Sequence, residues 1–256
     1  MEPDVKSGAG LVRHCSKFSE FTADVAGWRD LIAESSAAIV RGLIPPAIAA
    51  QIVANLKANF TSEADIRVNP SVTPSSKNYQ RLDLGEYGGV ARYMRTFFQF
   101  GWNEDKLGSS EPFAILTRMR NLLMGMPENY LLDGGHESGA YNAARIIQYP
   151  SGGGFMAGHQ DKLSNHINLA NQGFRSNYVA LLSLGSRGKD FEQGGAWINS
   201  AAGDRLDVEG MLLLGDIVLY DQLTKHGVAG IDTHKPIDTT GLSGRLVALA
   251  TPYPFQ

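Results

Sequence analysis

Between Val25 and Arg41 the apolar residues Trp28, Leu31, Ile32, Ile39 and Val40 recur at roughly helical spacing. That rhythm predicts an amphipathic helix. Pro45 and Pro46 interrupt it. A second helix is predicted behind them, with Ile48, Ile52, Val53 and Leu56 on one stripe. Proline suits its first turn, because the N–H it lacks would have no helical partner there. Residues 61–77 carry Ser, Asn and Pro and predict a loop. Val90, Tyr93, Met94, Phe97 and Phe98 match the helical template and predict a third helix. A fourth is expected from about Pro112 to Met124, with Ile115, Leu116, Met119, Leu122 and Leu123 inward and Ser109 or Ser110 as its cap.

After Gly135 the texture changes to short apolar runs separated by Gly and Asn. Tyr141–Tyr149, Tyr178–Leu184, Ala196–Asn199, Met211–Leu214, Ile217–Tyr220 and Leu246–Thr251 are predicted strands. No βαβ alternation is present, which disfavours Rossmann and TIM architectures. Many short strands with glycine turns point to an antiparallel sandwich or jelly roll. The expected fold is therefore α+β with a mostly β core. A helical region over 1–135 is expected to pack on a core over 136–256, as one integrated domain.

Composition narrows the partners. Apolar residues make up 43% of the chain and charged residues 19%, enough for a sizeable core. The net charge of −3 offers no basic surface for nucleic acid or anionic lipid. The single cysteine, Cys15, excludes an internal disulfide and a cysteine metal site, which fits a reducing cytoplasm. No apolar run is long enough to span a membrane, and the polar stretch Met1–Gly10 lacks a signal peptide's apolar segment and is expected to fray.

Chemistry concentrates in Tyr149-Pro-Ser-Gly-Gly-Gly-Phe-Met-Ala-Gly-His159-Gln-Asp161. On an extended segment, His159 and Asp161 project to one face and can bind one metal together. A second imidazole would complete a 2-His-1-carboxylate set, leaving positions on iron(II) for a bidentate ligand and dioxygen. The second histidine is His226 or His234. His226 directly follows the strand ending at Tyr220 and precedes Gly227, whereas His234 stands before a proline in an apparent loop, so His226 is favoured. Gly244-Arg245 then opens the last strong strand. A carboxylate cosubstrate buried in a barrel needs a cation at its far end, and Arg245 offers a planar fork, the competing reading being a pair with a surface acid.

With these motifs in place the sequence resembles the 2-oxoglutarate/iron(II) dioxygenase superfamily, nearest to its prolyl-hydroxylase-like branch. The resembling elements are Tyr149-Pro and the glycines before His159-x-Asp161, Phe191-x-x-Gly194-Gly195, Gly215-Asp216 before His226, and Gly244-Arg245. They span about residues 141–254. The resemblance implies a double-stranded β-helix with buttressing N-terminal helices, Fe(II) held by His159, Asp161 and His226, and 2-oxoglutarate chelating the metal with its distal carboxylate on Arg245. O2 is the implied co-oxidant, and hydroxylation of a C–H bond the implied reaction. The 19-residue step from His226 to Arg245 is longer than usual, so a loop near His234–Leu242 must be inserted. Val247 stands where some branches place a serine assisting the arginine; Ser183 or Tyr149 is expected to take that part.

The remaining polar residues carry competing readings. Arg92 and Arg95 share the polar side of the predicted Val90–Phe98 helix, where a solvated face competes with reach over the barrel mouth. Arg145 alternates with Ile146 on an early strand and is either outward or a clamp for a substrate carboxylate, since an inward arginine without an acid is costly. Gly152–Gly154 predicts a hairpin turn, because no Lys-Ser/Thr or helix follows as a phosphate loop requires. His136 and His166 are expected in solvated loops, and Trp102 and Trp197 in packing. A free amino acid or small polar metabolite is the expected substrate. A peptidyl-prolyl substrate, desaturation or cyclisation on the same scaffold, and a non-redox cupin-like isomerase or sensor stay open.

Overall fold

The computed structural model describes residues 10–61, 66–67, 71–85, 90–132, 139–161 and 177–255. The chain opens with β1 (Val12–His14), α1 (Phe18–Ala23), α2 (Val25–Ser35), β2 (Ala38–Arg41) and α3 (Pro46–Asn59). Next come β3 (Tyr79–Asp83), β4 (Ala91–Arg92), β5 (Met94–Gln99) and α4 (Ser110–Met124). The second half holds β6 (Ala140–Tyr149), β7 (Phe155–His159), β8 (Tyr178–Ser183), β9 (Gly195–Asn199), β10 (Arg205–Asp207), β11 (Ile217–Asp221), β12 (His226–Ala229) and β13 (Arg245–Pro254).

These strands form an eight-stranded sheet, β1-β2-β11-β8-β13-β6-β5-β3, facing a five-stranded sheet, β10-β9-β12-β7-β4. The expected jelly-roll core is present, with helices against the outer face of the larger sheet. Alternation along the central strands explains how both faces are buried. Leu246, Ala248 and Ala250 of β13 and Ile146 of β6 pack against the helical layer with Leu116, Met119 and Trp28. Val247, Ile147 and Tyr149 point the other way, into an inner cluster with Val228 and Ile231. A strand buried on both sides reads as a continuous apolar run.

Several predicted elements differ. The Val90–Phe98 stretch is two strands, not a helix: Arg92 lies on β4 and Arg95 on β5, in different sheets. Tyr93 separates them with a left-handed φ of 52°. Phe97 faces the helices while Met94 joins the inner cluster, so period-2 alternation vanished and the spacing mimicked a helix. The first predicted helix stops at Ser35, and Ile39 and Val40 belong to β2, between β1 and β11. Met211–Leu214 is no strand: a 3-10 turn over Glu209–Met211 leads into irregular chain. Ser109 does not cap α4 with its side chain. Asp105 instead accepts from the Ser110 amide and both serine hydroxyls.

Two sequence motifs have structural causes. At Gly215, φ is 92° and a Cβ would lie 2.6 Å from the Ile44 carbonyl, so only glycine fits. Its neighbour Asp216 is buried and bridges to Arg41 at 2.7 Å. Gly152–Gly154 make the β6–β7 turn, with Gly152 pressed against the backbone of Pro236 and Ile237. Among the described residues no helix is long and apolar enough to cross a membrane.

Candidate metal centre and cavity

β7 and β12 are hydrogen-bonded neighbours, and their register places His159 directly opposite His226. Asp161 follows β7, held by its amide on the Gln222 carbonyl at 3.0 Å. The ligand atoms of His159, Asp161 and His226 lie within 4.8 Å of one another, as in a metal-binding cluster. Asp161 stands 3.5 Å from Nε2 of His159 and 3.9 Å from Nε2 of His226.

The second nitrogens orient the rings. Nδ1 of His159 contacts the Ala157 carbonyl at 2.9 Å, and Nδ1 of His226 contacts the Thr224 carbonyl at 2.8 Å. A carbonyl only accepts, so each Nδ1 carries a proton and each ring turns its Nε2 toward Asp161. Burial lowers the His226 imidazole, and Asp161 only partly offsets it. At His159 burial also acts against the charged form, but the hydrogen bonds and charge of Asp161 and Ala157 outweigh it and raise the ring. Trp197 covers this part of the small sheet. A Cβ on Gly158 or Gly227 would come within 2.6 or 2.8 Å of its indole, so a glycine beside each histidine is a demand for space.

The cluster opens on a cavity of about 170 Å3 between the sheets. Arg245 lines it with Tyr149, its register partner. Arg245 is 1% exposed, and its Nε donates to Oε2 of Glu209, itself 1% exposed. Glu209 also accepts from the Ala196 amide at 2.8 Å. Nη2 of Arg245 is buried and has no hydrogen-bond partner among the described residues. Burial raises the Tyr149 phenol to about 12, partly countered by Arg245 and Arg145.

The other candidates divide. Arg145 points into the cavity. Ser183 pairs with Val247 but gives its hydroxyl to the Gly185 carbonyl at 2.6 Å and does not line the cavity. Arg95 is buried on the helical side, bonded to Gln80 and the Thr239 carbonyl, and Arg92 lies on the surface stacked over Tyr93. Neither reaches the cavity, because the helix expected to align them does not exist. His234 is exposed beside Glu192 at 3.3 Å, outside the cluster. His136 and His166 lie outside the described residues.

Sequence reading missed Glu209 and Tyr220. Tyr220 is buried 4.8 Å from the His226 ring, and burial followed by the charge of Asp161 pushes its phenol well above the ordinary value. Its alternation with Val218 at the end of a predicted strand was the available signal. Glu209 sits in a turn with no local pattern to mark it.

No family model and no curated protein matches the chain. Solved structures do. A Pseudomonas putida prolyl-4-hydroxylase is similar with a TM-score of 0.55 at 16% identity, covering 91% of this chain and 100% of that one. The epimerase SnoN in complex with Fe3+, alpha ketoglutarate and nogalamycin RO is similar with a TM-score of 0.56 at 12% identity, covering 91% and 84%. A 2OG-Fe(II) oxygenase family protein from Caulobacter crescentus gives 0.51 at 11% identity, covering 96% and 86%. The fold is thus the jelly roll found in 2-oxoglutarate oxygenases.

Proposed function

We propose that this chain is an iron(II)- and 2-oxoglutarate-dependent oxygenase acting on a small polar molecule, with a free amino acid as the leading class. The observation that carries the reading is the histidine pair, each with Nδ1–H tied to a carbonyl and Nε2 turned to Asp161, on a cavity whose far wall holds a buried arginine nitrogen without an acceptor. Two imidazoles and one carboxylate suit iron(II) with open positions. His159, Asp161 and His226 would hold the metal. Arg245 would take the distal carboxylate of 2-oxoglutarate through its free nitrogen, beside Tyr149. When bound, iron(II) and 2-oxoglutarate let O2 oxidise a substrate C–H bond to C–OH, with 2-oxoglutarate giving succinate and carbon dioxide.

The protein's own part is positional. The Ala157 and Thr224 carbonyls hold both rings in the donor tautomer. Ile147, Val247 and Leu249 wall the cavity with apolar surface and limit water. A hydroxylase of small molecules is favoured over one of peptidyl-proline because the cavity lies between the two sheets and carries a second inward cation.

One observation favours a rival. Glu209 already balances Arg245, so Arg245 could be wholly structural, as in a non-redox metal protein or sensor of the same fold. Anaerobic addition of iron(II) and 2-oxoglutarate separates the two. The oxygenase gives a lilac metal-to-ligand charge-transfer band that His226→Ala abolishes. A folded wild-type protein that binds iron(II) without developing the band overturns the proposal.

A further inference from the structure

Among the described residues the charged side chains lining the cavity are Asp161, Arg245 and Arg145, besides the histidines. Asp161 faces the two imidazoles, and Arg245 is matched by Glu209. Among the described residues Arg145 meets neutral groups. Its Nη2 donates to Thr251 Oγ1 at 2.7 Å and its Nη1 to the Tyr253 hydroxyl at 3.4 Å, with the Tyr253 ring 5.5 Å away. Its Nε is buried with no acceptor among the described residues.

The fold leaves this side chain no other direction. Arg145 sits in mid-sheet, opposite Phe98 of β5 and Leu249 of β13. Its chain neighbours Ala144 and Ile146 pack against the helices, so alternation sends Arg145 inward. Two hydroxyls orient a guanidinium but do not neutralise it, and this half-buried cation, its Nε fully buried, has no anion beside it among the described residues. A dicarboxylate cosubstrate with one end on the metal has one free end, and that end occupies one arginine. The other arginine remains available.

We propose that Arg145 binds the carboxylate of the substrate itself, and that the substrate is a small amino-acid-like acid. The inference rests on the oxygenase reading for its assignment of Arg245 to the cosubstrate. One guanidinium, already held by two hydroxyls, matches the single charge and planar fork of a carboxylate. A doubly charged phosphate would stay half neutralised. Beside Arg145 the wall is Ile147, Leu181, Leu249 and Tyr178, which suits the aliphatic part of such an acid.

The test uses the full chain loaded with manganese(II) and saturated with 2-oxoglutarate. The twenty protein amino acids and their carboxamides are titrated by calorimetry. At least one acid should bind, and its amide at least tenfold more weakly. Arg145→Gln should lose that discrimination, and Arg145→Lys should keep part of it, each variant first verified as folded by circular dichroism. Equal binding of acid and amide, unchanged discrimination in Arg145→Gln, or no binding by any member of the panel overturns the subsite. Titrating 2-oxoglutarate alone separates the two readings. If Arg145→Gln loses 2-oxoglutarate and Arg245→Gln keeps it, the subsite is overturned while the oxygenase stands. If wild type binds no 2-oxoglutarate yet shows acid binding that needs Arg145, the subsite stands and the oxygenase reading falls.

Discussion

Arg145 and Arg245 show how differently one side chain can be accommodated in one cavity. Arg245 is buried against Glu209, and losing either partner leaves a charge in a low-dielectric site. Glu209→Gln keeps an acceptor for Nε but removes the countercharge, which should cost about 3–5 kcal/mol of stability. The cosubstrate's carboxylate would then replace Glu209 as the countercharge of Arg245. Ligand binding should therefore recover part of the loss, so that 2-oxoglutarate raises the melting temperature of Glu209→Gln more than that of wild type. Equal shifts would mark the Glu209–Arg245 pair as structural only. Neither partner's surroundings were readable locally. Arg245 stands out by following Gly244 at a strand start, but Glu209 pairs with it across 36 positions of chain.

At the scale of elements, legibility followed burial. His159 and Asp161 share one face of an extended segment by their spacing, a weak signal alone that the downstream strand with His226 and the Gly244-Arg245 strand start strengthened. The strands β8, β11 and β13 were visible as short apolar runs bounded by turn residues. β5 and β2 were not, since both faces of each are buried: Phe97 and Val40 pack against the helices while Met94 and Ile39 join inner clusters, which erases the alternation that marks a strand. The insertion expected near His234–Leu242 lies between β12 and β13, and its anchor is Asp232. That carboxylate accepts from the Glu192 and Gln193 amides, from the Ser151 hydroxyl and from Lys235, joining three connections at one end of the barrel. Burial works against its charge, yet the backbone amides and the other donors outweigh burial and bring the pKa down to about 2. A carboxylate lowered on folding stabilises above its unfolded pKa, near 4, and that contribution disappears as pH falls through about 2. Asp232→Asn should thus be less stable than wild type by roughly 2 kcal/mol at pH 7. Urea unfolding at stepped pH should show the gap closing between about pH 4 and pH 2. A gap that persists at the acid end would mean that side-chain shape, and not charge, secures the loops.

The whole molecule separates support from chemistry. Helices α1–α4 cover the outer face of the larger sheet, and fully buried Arg120 ties α4 to that sheet through the Asn142 side chain and the Ala250 carbonyl. Both histidines of the cluster belong to the smaller sheet, whereas Arg245 and Arg145 belong to the larger one. A metal held by His159, Asp161 and His226 therefore fastens β7 to β12 within one sheet. A dicarboxylate reaching from that metal to Arg245 would link one sheet to the other. The two ligands should then stabilise the fold synergistically, because each completes the other's site. A single ligand at a hundred times its dissociation constant adds about 2.7 kcal/mol, which for a chain of this length is roughly 5–11 °C in Tm. Manganese(II) and 2-oxoglutarate together, without turnover, should raise Tm by clearly more than the sum of their separate shifts, read by scanning calorimetry. His226→Ala should lose both the metal shift and the excess, and Arg245→Ala should keep the metal shift and lose only the excess. Strictly additive shifts in wild type would mean that 2-oxoglutarate does not reach the metal, and the bridge between the sheets would have to be abandoned.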